Sequence, residues 1–172
     1  MYPFKKIFFS LCFIFSAPIL MGQKPCACCT DNHKAFDFWV GDWIVYDTSG
    51  NKIGENNVEK IEKNCIINEH WTGGKESTGS SYNYFDSNDS TWNQVWIDNQ
   101  GGHLILKGHS TANKMILRSK FQKDPKGNLY CNRITWTLNA DGSVTQRWDI
   151  ADEMDALMSV AFIGIYRKKT IK

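Results

Sequence analysis

Glu69, Gln94 and Arg133 are the residues of this chain whose types suit chemistry in a closed interior. A carboxylate, an amide and a guanidinium can hold a small polar group or move a proton, provided that they converge. Alternation along strands would bring them together, because residues i and i+2 share one face. In 64–72, Cys65, Ile67, Glu69 and Trp71 form the more apolar set and are expected inside, with Ile66, Asn68 and His70 outside. In 91–98 the inward set is expected to be Trp92, Gln94, Trp96 and Asp98. Tyr82 and Tyr84 share one face of 79–86, and Gln146, Trp148 and Ile150 share one face of 144–151. The expected lining of a single cavity is Glu69, Trp71, Tyr82, Tyr84, Gln94, Trp96, Arg133 and Trp148. A buried Glu69 needs a partner or takes up a proton. Arg133 has two readings. The core-like set Tyr130, Asn132, Ile134, Trp136 and Leu138 would leave it on the surface with Cys131, Thr135 and Thr137. A polar lumen would make it the internal partner of Glu69. The competing reading of the whole set is that the aromatics simply fill a core.

Other chemistries find less support. His103, Ile105, Lys107 and His109 share one face of 103–110, and Lys107 marks that face as outward. Six residues along a strand separate His103 and His109 by about 20 Å, too far for one metal. The segment "CACCTDNH" places Cys26, Cys28, Cys29 and His33 within eight residues. Zinc accepts such ligands, but the usual C-x2-C loop is missing. Export favours disulfides among Cys26, Cys28 and Cys29, and free thiols or a bond between chains remain alternatives. Cys65 reads first as a core residue and second as a disulfide partner. No nucleophile elbow, phosphate loop or dinucleotide fingerprint occurs, and no cofactor is expected.

The elements that position these residues are short strands. Turn signals recur at Ser49-Gly50-Asn51, Thr72-Gly73-Gly74, Asn88-Asp89-Ser90, Asn99-Gln100-Gly101-Gly102, Lys126-Gly127-Asn128 and Asp141-Gly142-Ser143. Between them the β-branched and aromatic runs predict ten strands: 42–48, 53–62, 64–72, 79–86, 91–98, 103–110, 114–122, 129–138, 144–151 and 157–168. Hairpin-length turns favour a meander, and closing the meander removes its two edges. The expected fold is all-β, an up-and-down antiparallel barrel of about ten strands. Phe36, Trp39 and Val40 stand at i, i+3 and i+4, which predicts a short N-terminal helical plug sealing one end.

Gly41-Asp42-Trp43 at the start of the first strand resembles the lipocalin-like (calycin) superfamily. The ordered pieces "FDFWVGDW", "NCIINEHWTG", "GSSYNYFD", "TWNQVWIDNQGG", "LKGH" and "RITWT" are similar to an uncharacterised family of exported bacterial proteins in that group. The resemblance implies a barrel with an internal cavity and no particular activity. It also implies that Trp43 packs against an arginine from the last strand, and Arg167 is placed to supply it. Related barrels use internal arginines to bind ligand carboxylates, the role open to Arg133. Haem-binding members, the nitrobindins, ligate iron through a C-terminal histidine, and this chain has no histidine after His109.

Composition sets the compartment and the broad class. Lys5 and Lys6 precede an apolar run from Ile7 to Met21, which predicts a signal peptide over 1–22. A cysteine-containing segment, 23–35, and one barrel domain, 36–169, would follow. The location expected is periplasmic or extracellular, with no membrane span after cleavage. Removing 1–22 takes away two lysines and no acid, so 20 basic and 18 acidic residues become a balanced 18 and 18. That balance gives no electrostatic footprint for nucleic acid. Cys12 leaves with the leader, and the odd number remaining requires an unpaired thiol or an interchain bond. The leading function is a barrel binding a small apolar or amphipathic molecule. The alternatives are a structural or partner-binding envelope protein with a filled barrel, and a barrel enzyme using Glu69 and Arg133. The enzyme requires Glu69 to titrate near working pH.

Overall fold

The structure, a computed structural model, describes residues 26–170. The expected leader lies outside them. Eleven strands form in chain order. They are β1 (Gly41–Tyr46), β2 (Lys52–Ile61), β3 (Ile66–Gly73), β4 (Thr78–Asp86), β5 (Thr91–Asp98) and β6 (His103–Thr111). β7 (Lys114–Arg118), β8 (Gln122–Lys123), β9 (Leu129–Leu138), β10 (Val144–Ala151) and β11 (Leu157–Lys168) complete them. Every pairing is antiparallel. The order β10-β11-β1-β2-β3-β4-β5-β6-β7-β9 closes on itself through β9–β10, so ten strands make a barrel without free edges. The strand expected over 114–122 ends at Arg118, and the two-residue β8 pairs β9 outside the ring.

Four loops share one device that fixes hairpin register. An aspartate carboxylate accepts backbone N–H bonds from the residues two and four places on: Asp47 from Ser49 and Asn51, Asp98 from Gln100 and Gly102, Asp124 from Lys126 and Asn128, Asp152 from Met154 and Ala156. Three of these loops turn through a left-handed glycine, Gly50, Gly101 or Gly127. The fourth turns through Asp155 at φ 67°.

The N-terminal segment seals one end. α1 (Asp31–Lys34) is capped by Thr30, and a single 3-10 turn follows over Asp37–Trp39. Phe36 and Trp39 are fully buried, stacked on each other at 4.9 Å. Both meet Trp136 of β9, at 5.2 and 5.3 Å. The Trp92 indole donates to Asn32 O (3.1 Å), and the Trp43 indole donates to Trp39 O (2.8 Å). One disulfide, Cys28–Cys65, ties this segment to the residue before β3, and a second, Cys26–Cys29, closes a short loop within the segment. Cys65 is therefore a bridge partner rather than a core filler. The unpaired thiol among the described residues is Cys131. It was expected at the surface; it does face outward, yet it is buried, with Arg118 against it. Among the described residues no exposed thiol remains for the interchain bond that stood as an alternative.

The pairing of Trp43 with Arg167 is also corrected. The β1–β11 register sets Trp43 opposite Lys168 and Ile44 opposite Arg167. Lys168 Nζ accordingly stands 4.1 Å from the Trp43 ring centre, and Arg167 lies on the outer face over Tyr46 at 5.6 Å. The cation–π contact exists one residue further along the strand.

Candidate functional site

Strand alternation divides the interior into levels. Next to the plug, Ile67, Trp92, Leu106, Met115, Leu117, Trp136 and Val144 form one buried cluster with Trp39. Two residues further along their strands, the inward positions become polar: Glu69 on β3, Gln94 on β5, Gln146 on β10. Two residues further again they become aromatic: Trp71, Trp96 and Trp148, with Phe162 of β11. These two upper levels surround a cavity of about 220 Å³ that Leu104, Ile134, Ala161 and Tyr166 complete. The indoles lie back against the wall because glycines face them. A Cβ on Gly54 would stand 2.5 Å from the Trp71 ring, and one on Gly79 would collide with Trp96.

Glu69 is only 4% exposed. Asn56 Nδ2 donates to its Oε1 (2.9 Å) and Ser81 Oγ to its Oε2 (2.7 Å). Behind them, Asn83 Nδ2 donates to Ser81 Oγ (2.9 Å) and to Ile67 O (3.0 Å), and Gln94 Nε2 donates to Asn83 Oδ1 (2.8 Å). Across the lumen the Tyr166 hydroxyl donates to Gln146 Oε1. Burial pushes the Glu69 carboxyl up to about 7, against the opposing pull of the Ser81 and Asn56 bonds. Burial, and then the charge of Glu69, hold the Tyr166 phenol well above its ordinary value.

The structure brings Glu69, Trp71, Gln94, Trp96 and Trp148 together and leaves three expected residues out. Tyr82 and Tyr84 point to solvent, 52% and 41% exposed. Their inward neighbours are Ser81 and Asn83, the side chains that Glu69 and Gln94 need as partners. Polar satisfaction outranks hydrophobicity on that strand. Arg133 lies outside the wall, donating to Asp149 (2.9 Å) and Asp155 (2.7 Å). Asp149 also accepts from Arg147 (2.7 Å), and Asp155 from Arg118. Burial raises the Asp149 carboxyl, but Arg133 and Arg147 outweigh it and hold it low. Arg133 therefore cannot neutralise Glu69. The enzyme reading keeps the near-neutral Glu69 that it required and loses its arginine.

Sequence reasoning put Gln146 on the face of Trp148 without assigning it to the site, and it overlooked Tyr166 and Phe162. Parity was the available signal for both, since Phe162, Gly164 and Tyr166 alternate inward along β11. Among the described residues no three metal-ligating side chains converge, and Cys26, Cys28 and Cys29 are all oxidised. None of the described helices is long and apolar enough to cross a membrane.

No protein-family model matches the chain, and no curated protein matches it. The closed ten-stranded antiparallel barrel is compatible with a calycin-like fold.

The Glu69 value makes stability depend on pH. A carboxyl raised from 4.5 to about 7 stabilises the folded state fully below pH 4.5, and that contribution is lost as pH rises to 7. The loss attributable to Glu69 is about 3 kcal/mol. Urea midpoints for wild type and Glu69→Gln should therefore diverge over this window, the variant gaining relative stability as pH rises. Parallel profiles would show that Glu69 titrates normally.

Proposed function

We propose that this protein is an exported, lipocalin-like barrel that binds a small apolar or amphipathic molecule in its interior. The observation that supports this best is the division of the barrel: a solid half around Trp39 and Trp136, and an open half of about 220 Å³. A barrel selected only for stability would fill that space, because each unfilled void forgoes packing energy. Here Gly54 and Gly79 draw two tryptophans back from it. The lining combines apolar walls with a few converging polar groups, the usual make-up of a small-molecule site. The disulfides suit an oxidising compartment, in keeping with export.

Titration with 2-naphthol, a neutral aromatic, should quench intrinsic tryptophan fluorescence saturably. Ala161 lines the cavity and is itself exposed, so Ala161→Phe should obstruct the mouth and weaken binding by about tenfold or more. Equal binding by the variant, or no saturable quenching by wild type, would count against the cavity as the site.

A further inference from the structure

The direction of the hydrogen bonds inside the barrel specifies the charge of the occupant. Asn83 Nδ2 is fixed by a backbone acceptor, Ile67 O, and it also donates to Ser81 Oγ. Asn83 Oδ1 is then left to accept from Gln94 Nε2. Ser81, already an acceptor, gives its own proton to Glu69 Oε2, and Asn56 gives one to Oε1. Both Glu69 oxygens are thus held as acceptors, the arrangement that suits an ionised carboxylate. Gln94, its nitrogen committed to Asn83, adds a further free acceptor oxygen.

Among the described residues, none supplies the matching positive charge inside the barrel. No described lysine, arginine or histidine lines the cavity. Lys60 and Lys168 belong to the plugged end, where Lys60 pairs with Asp37 and Lys168 donates to Val40 O. Arg133 is engaged outside. Of the groups facing Glu69, β2 contributes Asn56, β4 Ser81, β5 Gln94, β10 Gln146 and β11 Tyr166, and Tyr166 alone can titrate. The remaining walls are the rings of Trp71, Trp96, Trp148 and Phe162. Aromatic faces attract cations and lose nothing by contact with hydrocarbon. A ligand carboxylate would instead set two like charges together in a buried site.

We propose that the cavity selects a small organic cation, a protonated amine whose ammonium meets Glu69 and Gln94 while its apolar body lies among Trp71, Trp96 and Trp148. This rests on the binding reading above and names the ligand class. It replaces the acid-binding role that an internal Arg133 would have given.

The test is a matched series, 2-phenylethylamine, 2-phenylethanol and phenylacetate, titrated by calorimetry into the mature, disulfide-bonded protein. At about pH 8 the amine should bind about 30-fold more tightly than the alcohol, with the acid weakest. Glu69→Gln should bring amine and alcohol within about threefold of each other. Should that variant fail to fold, wild type supplies the second readout. Amine affinity should fall about 30-fold from pH 8 to pH 5.5 as Glu69 takes up its proton, while alcohol affinity stays level. Alcohol or acid binding as tightly as the amine overturns the amine class and leaves the binding site standing. Failure of all three to bind at millimolar concentration overturns both.

Discussion

Trp39→Ala should destabilise the protein by about 4 kcal/mol, close to the upper end for a single truncation in a core. Trp39 is fully buried, stacked on Phe36 with 17° between the planes and tilted against Trp136. Removing the indole leaves a ring-sized void at the barrel end, bordered by side chains that β-sheet geometry holds in place. Each lost ring pair adds about 1 kcal/mol to the area lost. The control is Trp39→Phe. The Trp39 indole N–H is buried without a hydrogen-bond partner, so phenylalanine keeps much of the stack and removes an unsatisfied donor. It should cost less than half as much. Urea unfolding with an unchanged m-value is the measurement. A loss below about 1 kcal/mol for the alanine variant would mean that the N-terminal turn does not seal the barrel.

The second large effect concerns Cys28–Cys65, which closes a loop of 37 residues between the plug and β3. Loop-closure entropy for that length predicts a loss of about 4 kcal/mol when Cys28→Ser and Cys65→Ser are combined. Cys26–Cys29 spans three residues and should contribute much less, because a short loop restricts the unfolded chain little. Thermal denaturation should separate the pairs, with a fall of roughly 10 °C for the long bridge. Equal effects from both would argue that the bridges act through local geometry instead.

The strands were readable because hairpin turns and alternation agree over most of the chain. Nine of the ten expected strands match to within about three residues, inside the usual boundary error. Half-buried alternation also located Glu69, Trp71, Gln94, Trp96 and Trp148 on one inner surface. The failures have a common origin. Hydrophobicity ranks Tyr82 and Tyr84 above Ser81 and Asn83, but the strand turns the small polar residues inward to serve Glu69 and Gln94. That choice depends on partners from other strands, which no single-strand pattern contains. Arg133 went astray in the same way, since its aspartate partners lie 16 and 22 positions later. The β1–β11 pairing joins the two ends of the chain, so its register could not be counted from sequence, and Lys168 was missed in favour of Arg167.

The interior is therefore better described by what it lacks than by its aromatic content. A buried carboxylate with its own donors and no cation gains stability by taking up a proton or by meeting something positive. Protonation gives the pH-dependent stability, and the arriving charge gives the ligand class. Both follow from Glu69 in one setting, and a single substitution, Glu69→Gln, should remove both together.

The most direct measurement locates the site rather than the affinity. The chain has seven tryptophans, and their side-chain N–H resonances can be followed separately by ¹H–¹⁵N NMR. During titration with 2-phenylethylamine, the indoles of Trp71, Trp96 and Trp148 should shift together and saturate at one concentration, because these three line the open half. Trp39, Trp43 and Trp136, packed at the sealed end, should stay still. Shifts confined to the sealed end, or spread equally over all seven, would contradict an upper-barrel binding site.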